Sequence, residues 1–77
     1  MKNTQKIHIG KLIRKQLRHN GQTVVWLAKQ LGCDRSKLHR IFNNPHINSD
    51  DLWQISLILK HDFFSDLSKH FLDSAKT

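Results

Sequence analysis

The 77-residue chain reads as an all-α fold, a compact bundle of four or five helices. Three observations lead there. Apolar residues recur at helical spacing in successive segments of the chain. No run alternates apolar and polar residues as a half-buried strand does. Gly21, Gly32 and Pro45 fall between the periodic segments, where such residues end helices rather than interrupt them. Gly10 alone lies inside one.

The first helix is expected over about Ile7 to His19, with Ile9, Leu12, Ile13 and Leu17 as its buried stripe. Lys11, Arg14, Lys15 and Arg18 repeat with the same period on another face. Asn20-Gly21 stops it, because glycine enters the left-handed region without a steric cost. The second helix runs from about Thr23, whose hydroxyl can cap it, to Leu31, with Val24, Leu27, Ala28 and Leu31 on one face. Val25 and Trp26 fall off that stripe. Gly32 ends it. Asp34 caps a third helix, about Arg35 to Asn43, with Leu38, Ile41 and Phe42 inward, and Asn43-Asn44-Pro45 closes it. A fourth helix starts near Asn48 or Ser49. Ile47 and Leu52 form a hydrophobic staple, Asp50 and Asp51 suit the positive end of the helix dipole, and Leu52, Ile55 and Leu59 face the core. Asp62 caps a fifth helix carrying Phe63, Phe64, Leu67 and Phe71. Trp53, Leu57, Phe71 and Leu72 exceed what these core stripes need. The implied organisation is a flexible N-terminus (1–6), one domain (7–72) and a C-terminal tail (73–77).

Charge is unevenly spread. The formal net charge is +7. Residues 1–40 hold ten Lys and Arg against a single acid, Asp34; residues 41–77 hold Lys60, Lys69 and Lys76 against Asp50, Asp51, Asp62, Asp66 and Asp73. A localised positive field on a small domain draws a polyanion to one face; the alternative is an ordinary solubilising surface. The polar residues 1–6 precede no apolar signal region, and no apolar stretch approaches the ~20 residues of a membrane span, so the expectation is a cytoplasmic protein without a membrane partner. Cys33 is the single cysteine and reads as a packing residue. The six histidines show no tight ligand spacing, so neither a metal nor another cofactor is expected.

The segment from Val24 to Asn43 carries the functional signal. Two short helices flank a tight turn. Ala28 is small where the helices cross, Gly32 takes the positive φ of the turn, and Leu31, Leu38 and Ile41 bury the crossing. This is a helix-turn-helix pattern. With the leading helix and the trailing Asn48-Ser49-Asp50-Asp51-Leu52 helix start, the chain over residues 7–72 resembles the Xre/Cro phage-repressor-like family of DNA-binding transcriptional regulators. The resemblance implies a five-helix domain that binds operator DNA as a homodimer, with the start of the third helix in the major groove. Carried onto this chain, the base-reading positions match Arg35, Ser36 and Arg40, with Lys37 and His39 beside them. Asn43 matches a phosphate-contact position. Many members hold a phosphate with glutamine where this chain has Val24, and Gln22 or the Thr23 hydroxyl can substitute from the preceding turn.

The residues agree with that implication on chemical grounds. Arg35, Ser36, His39, Arg40 and Asn43 lie opposite the core stripe of their helix, where packing has no use for them; the alternative is a solvated face with ordinary charges. Arginine pairs bidentately with guanine, which favours G-containing half-sites, whereas lysine more often meets phosphate, as His39 also can. The expectation is sequence-specific binding of double-stranded DNA by a regulator, a repressor by resemblance. A protein-interaction module on the same fold, such as an antitoxin or anti-repressor, is the alternative. An enzyme is not expected, since no carboxylate pair or nucleophile–base pair is visible. Nor is single-stranded RNA, since no aromatic platform lies among the basic residues.

Overall fold

The computed structural model describes residues 7–75. Five helices follow one another, α1 (Ile9–His19), α2 (Val24–Leu31), α3 (Arg35–Asn43), α4 (Ser49–Leu59) and α5 (Phe63–Ala75), with no strand among the described residues. The upper of the two expected helix counts therefore holds.

Side-chain caps set the helix starts. The Thr23 hydroxyl accepts from the Trp26 N–H at 3.1 Å, Asp34 from Lys37 at 3.0 Å, Asn48 from Asp51 at 2.8 Å and Asp62 from Ser65 at 3.0 Å. Each satisfies one of the donors a helix N-terminus leaves open. α1 begins two residues later than expected. His8 is extended and caps the helix, its Nδ1 accepting from the Lys11 N–H at 3.1 Å. The Ile9 and Gly10 N–H groups donate to the Pro45 and Asn44 carbonyls, both at 3.2 Å. The loop after α3 thus supplies the acceptors that another helical turn would have provided.

The core is formed by Ile9, Ile13 and Leu17 of α1, Leu27 and Ala28 of α2, Leu38, Ile41 and Phe42 of α3, Leu52, Ile55 and Leu59 of α4, and Phe63 of α5. Leu12, Val24, Leu31, Cys33, Ile47 and Leu67 pack against it partly buried. Trp26 does so too, although the period of α2 placed it off the core stripe. Its large ring still reaches apolar neighbours from the edge of the stripe.

Gly10 explains itself here. A Cβ on it would lie against the Ile41 and Phe42 carbonyl oxygens and 2.6 Å from the Phe42 carbonyl carbon. α1 therefore crosses the backbone of α3 at a separation that only glycine permits. At the other end of α1, Asn20 Nδ2 donates to the Leu59 carbonyl at 3.0 Å, tying the α1–α2 turn to the end of α4.

Three helix ends use left-handed backbone, the first at Gly21 after α1 with φ 72°. Gly32 after α2 has φ 70°, and the Cys33 N–H returns to the Ala28 carbonyl at 3.0 Å. Lys60 closes α4 at φ 54° without being glycine. α5 continues to Ala75, past the boundary placed after Leu72, because neither glycine nor proline interrupts it. The expected flexible N-terminus, residues 1–6, lies outside the described residues.

Candidate nucleic-acid interface

The polar surface of α3 follows from its period. Successive residues advance by about 100° around a helix. Leu38, Ile41 and Phe42 are buried on one side. That places Ser36, Arg40 and Asn43 directly opposite, His39 next to them and Lys37 on one flank; Arg35, expected opposite the core stripe, lies on the other flank, beside buried Phe42. Arg35, Ser36, His39, Arg40 and Asn43 are exposed, while Lys37 is half-buried. The surface offers a fork of five donors at each arginine, a hydroxyl and a carboxamide on a rigid helix.

α1 extends this surface. Ile9, Gly10, Ile13 and Leu17 are buried, and Lys11, Arg14, Lys15 and Arg18 are exposed opposite them. Arg14 adjoins α3: its guanidinium carbon lies 5.9 Å from the centre of the Phe42 ring. The His39 ring meets the same Phe42 edge-on, 6.3 Å between centres. Phe42 thus sits in the core with a cation of α1 over its ring and a histidine of α3 against it. The basic stripe of α1 and the outward face of α3 meet at this point. Sequence periodicity identified both surfaces but not their adjacency.

Lys37 differs from its neighbours. Its ammonium lies 3.5 Å from Asp51 Oδ1 on the first turn of α4, with the two side chains 45% and 23% exposed. Asp51 is itself held in place. Asn48 Nδ2 donates to Asp51 Oδ2 at 3.2 Å, while the Asp51 N–H donates to Asn48 Oδ1 at 2.8 Å. Lys37 and Asp51 are fourteen residues apart, and no local spacing rule links them.

The turn before α2 provides Gln22 and Thr23, both exposed. The Thr23 oxygen is used as an acceptor by the cap, which leaves its O–H free to donate. The Gln22 backbone N–H is bound to the Leu17 carbonyl at 3.1 Å, which fixes the turn.

A second surface lies on α4 and α5. Trp53, Leu57, Phe71 and Leu72 are 59%, 63%, 68% and 54% exposed. The Trp53 and Phe64 rings approach to 6.2 Å, tilted by 58°. With Leu57 and Lys60 they border an open groove of about 510 Å³. Phe71 follows Phe64 by seven residues, two helical turns along the same flank of α5.

Among the described residues no group of three or more His, Cys, Asp or Glu side chains is placed to hold a metal ion. The closest acid–histidine pair, His61 Nε2 and Asp66 Oδ2 at 2.7 Å, joins the α4–α5 turn to the first turns of α5. No described helix is long and apolar enough to cross a membrane. No protein-family model matches this chain, and no curated protein or solved structure matches it either.

Proposed function

We propose that the chain is a helix-turn-helix regulator that binds double-stranded DNA in a sequence-dependent manner, with α2 and α3 as the motif and α3 as the recognition helix. One observation carries the reading. The face of α3 turned away from the core presents Ser36, His39, Arg40 and Asn43, flanked by Arg35, and adjoins the α1 cations at Arg14. Core packing requires none of these side chains. The resemblance of residues 7–72 to the Xre/Cro repressor family points the same way.

In this reading α3 lies in the major groove. Arg35, Ser36 and Arg40 face base edges, and the two arginines favour guanine, while Lys37 at the border of that face is paired with Asp51. Asn43, His39, the Thr23 hydroxyl and the Gln22 carboxamide meet phosphates. Arg14 joins them, as does Lys11 by charge. The short separation at Gly10 makes the orientation of α3 a property of the core rather than of the DNA. One recognition helix reads only a few base pairs, so two chains pair about a twofold axis on DNA through the apolar surface of α4 and α5. The role is repression by occupancy of an operator, in the cytoplasm and without a cofactor or catalytic step.

The deciding experiment selects bound duplexes from a random pool and then follows the affinity of the winning site against salt by fluorescence anisotropy. A guanine-containing motif and a log–log slope of roughly −4 to −5, for about four to six phosphates neutralised per domain, are expected. No enrichment together with a flat salt dependence would remove the DNA reading. The chain would then be better described as a protein-interaction module, for which the Trp53–Leu57–Phe64 surface is the specific supporting feature.

A further inference from the structure

Resting on the DNA-binding reading, we infer that Asp51 is a built-in competitor of DNA phosphate: it holds the Lys37 ammonium in the free protein and on DNA, and thereby lowers affinity for DNA of any sequence.

Lys37 belongs to α3 and sits one residue from Ser36 and three from Arg40, at the border of the outward face. Its side chain nonetheless turns to the first turn of α4, where its ammonium is 3.5 Å from Asp51 Oδ1. Asp51 is a fixed partner. Its backbone N–H and its carboxylate both engage Asn48, so the carboxylate position is set by the α4 cap whether or not Lys37 is present. Lys37 is the mobile half of the pair, nearly half exposed, on a long flexible stem. The separation is at the long end for an ion pair. Pairs of this kind between partly exposed groups contribute little to stability. The contact therefore adds little to folding, and its removal leaves the domain intact.

Phosphate and carboxylate are rivals for one ammonium. Each lysine that neutralises a phosphate of duplex DNA releases about 0.9 of a counterion. A lysine that stays on Asp51 neutralises no phosphate and releases none. Moving Lys37 to phosphate also leaves the Asp51 carboxylate unpaired near a polyanion. Both effects act equally on every DNA sequence. They subtract from the non-specific, phosphate-driven part of binding and leave base readout by Arg35 and Arg40 untouched. Asp51 is thus a positioning residue that lowers affinity for operator and bulk DNA by the same factor.

Asp50 is the matched control. It lies in the same turn of α4, is exposed, and has the same charge, but it is not the partner of Lys37. Asp50→Asn removes one negative charge from this end of the domain without freeing Lys37. Asp51→Asn removes the charge that holds Lys37 while keeping an oxygen that can accept from Asn48.

The test measures anisotropy of a labelled random-sequence duplex, and of the selected operator, against salt for wild type, Asp50→Asn, Asp51→Asn, Lys37→Ala and the Asp51→Asn/Lys37→Ala double variant. Asp51→Asn is expected to steepen the random-duplex slope by about one, so that its affinity advantage over wild type grows about eightfold for each tenfold dilution of salt. The operator slope steepens by the same amount, and the operator-to-random ratio is unchanged. Asp50→Asn leaves the slope at the wild-type value. Lys37→Ala in the wild-type background changes the slope little, but in the Asp51→Asn background it returns the slope to wild type. An Asp51→Asn slope equal to that of Asp50→Asn overturns the inference. So does a loss of about one unit of slope in Lys37→Ala alone, because Lys37 would then already be on phosphate. Loss of the wild-type salt dependence itself would instead remove the DNA reading, and this inference with it. Thermal melting of each variant separates these outcomes from a damaged α4 cap.

Discussion

α3 and α5 are both amphipathic helices on one core, and they present opposite outer surfaces. α3 buries three of its nine residues and faces outward with arginines, a serine, a histidine and an asparagine. α5 has thirteen residues, buries only Phe63, and leaves Phe64, Phe71 and Leu72 exposed. α3 is fixed from several sides: by α1 through Gly10, by α2 through the Gly32 turn, and by the loop that α1 itself caps onto. α5 is attached over its first half, by Phe63, the His61–Asp66 pair and the partly buried Leu67. A helix held so firmly can keep polar groups in a set geometry. A helix with one buried residue and apolar side chains left over has surface suited to a partner. On the proposed function, the contrast divides the molecule into a reading half and an assembling half.

The largest expected effect attacks the attachment of α5. Phe63→Ala empties a fully buried site, and such deletions cost about 3–5 kcal/mol. In a domain this small that removes much of the total stability, and a large drop in melting temperature by circular dichroism is expected. A variant that melts as the wild type does would mean that α5 is held elsewhere.

Next comes the fixation of α3. Gly10→Ala introduces a methyl group against the backbone of α3, which unlike a side chain cannot rotate away. The expected loss is at the upper end of the ~1–3 kcal/mol typical of overpacking. Melting temperature and DNA affinity should fall together, since the two surfaces that meet at Phe42 would separate. Unchanged melting would show that α1 and α3 can part without cost.

Arg40→Ala addresses the reading surface without touching the core. It should leave melting unchanged and reduce discrimination between the selected operator and its guanine-substituted variants by about 1–3 kcal/mol if the contact is bidentate. Lys11→Ala should at most weaken all duplexes alike. Equal loss on operator and random DNA for Arg40→Ala would place that arginine on phosphate instead.

The smallest effect on stability is expected at the free end of α5. Phe71→Ser should alter folding by no more than about 0.5 kcal/mol, because the ring is mostly exposed. Its effect belongs to assembly: two chains on a full palindromic duplex should become one in native mass spectrometry, while binding to a half-site persists. Unaltered stoichiometry would move the pairing surface away from α5.

Sequence alone determined the elements and their faces. Helical periodicity, the caps at Thr23, Asp34, Asn48 and Asp62, and the glycine turn at Gly32 are local properties, each settled within about one helical turn, and the structure places them as the residues indicate. The surplus of Trp53, Leu57, Phe71 and Leu72 was equally legible, since a core stripe has room for only some of the apolar residues on a helix. Tertiary structure decided whatever depends on two distant segments meeting. The role of Gly10 needed the backbone of α3 beside it; a glycine inside a helical period signals a close approach but not what approaches. The late start of α1 needed the Asn44 and Pro45 carbonyls, the junction of the two basic surfaces needed Arg14 beside Phe42, and the withdrawal of Lys37 from its helix face needed Asp51. Periodicity fixes a side chain's angle around its own helix axis. Which neighbour it meets there is set by how the helices cross, and crossing follows from the packing of the whole core.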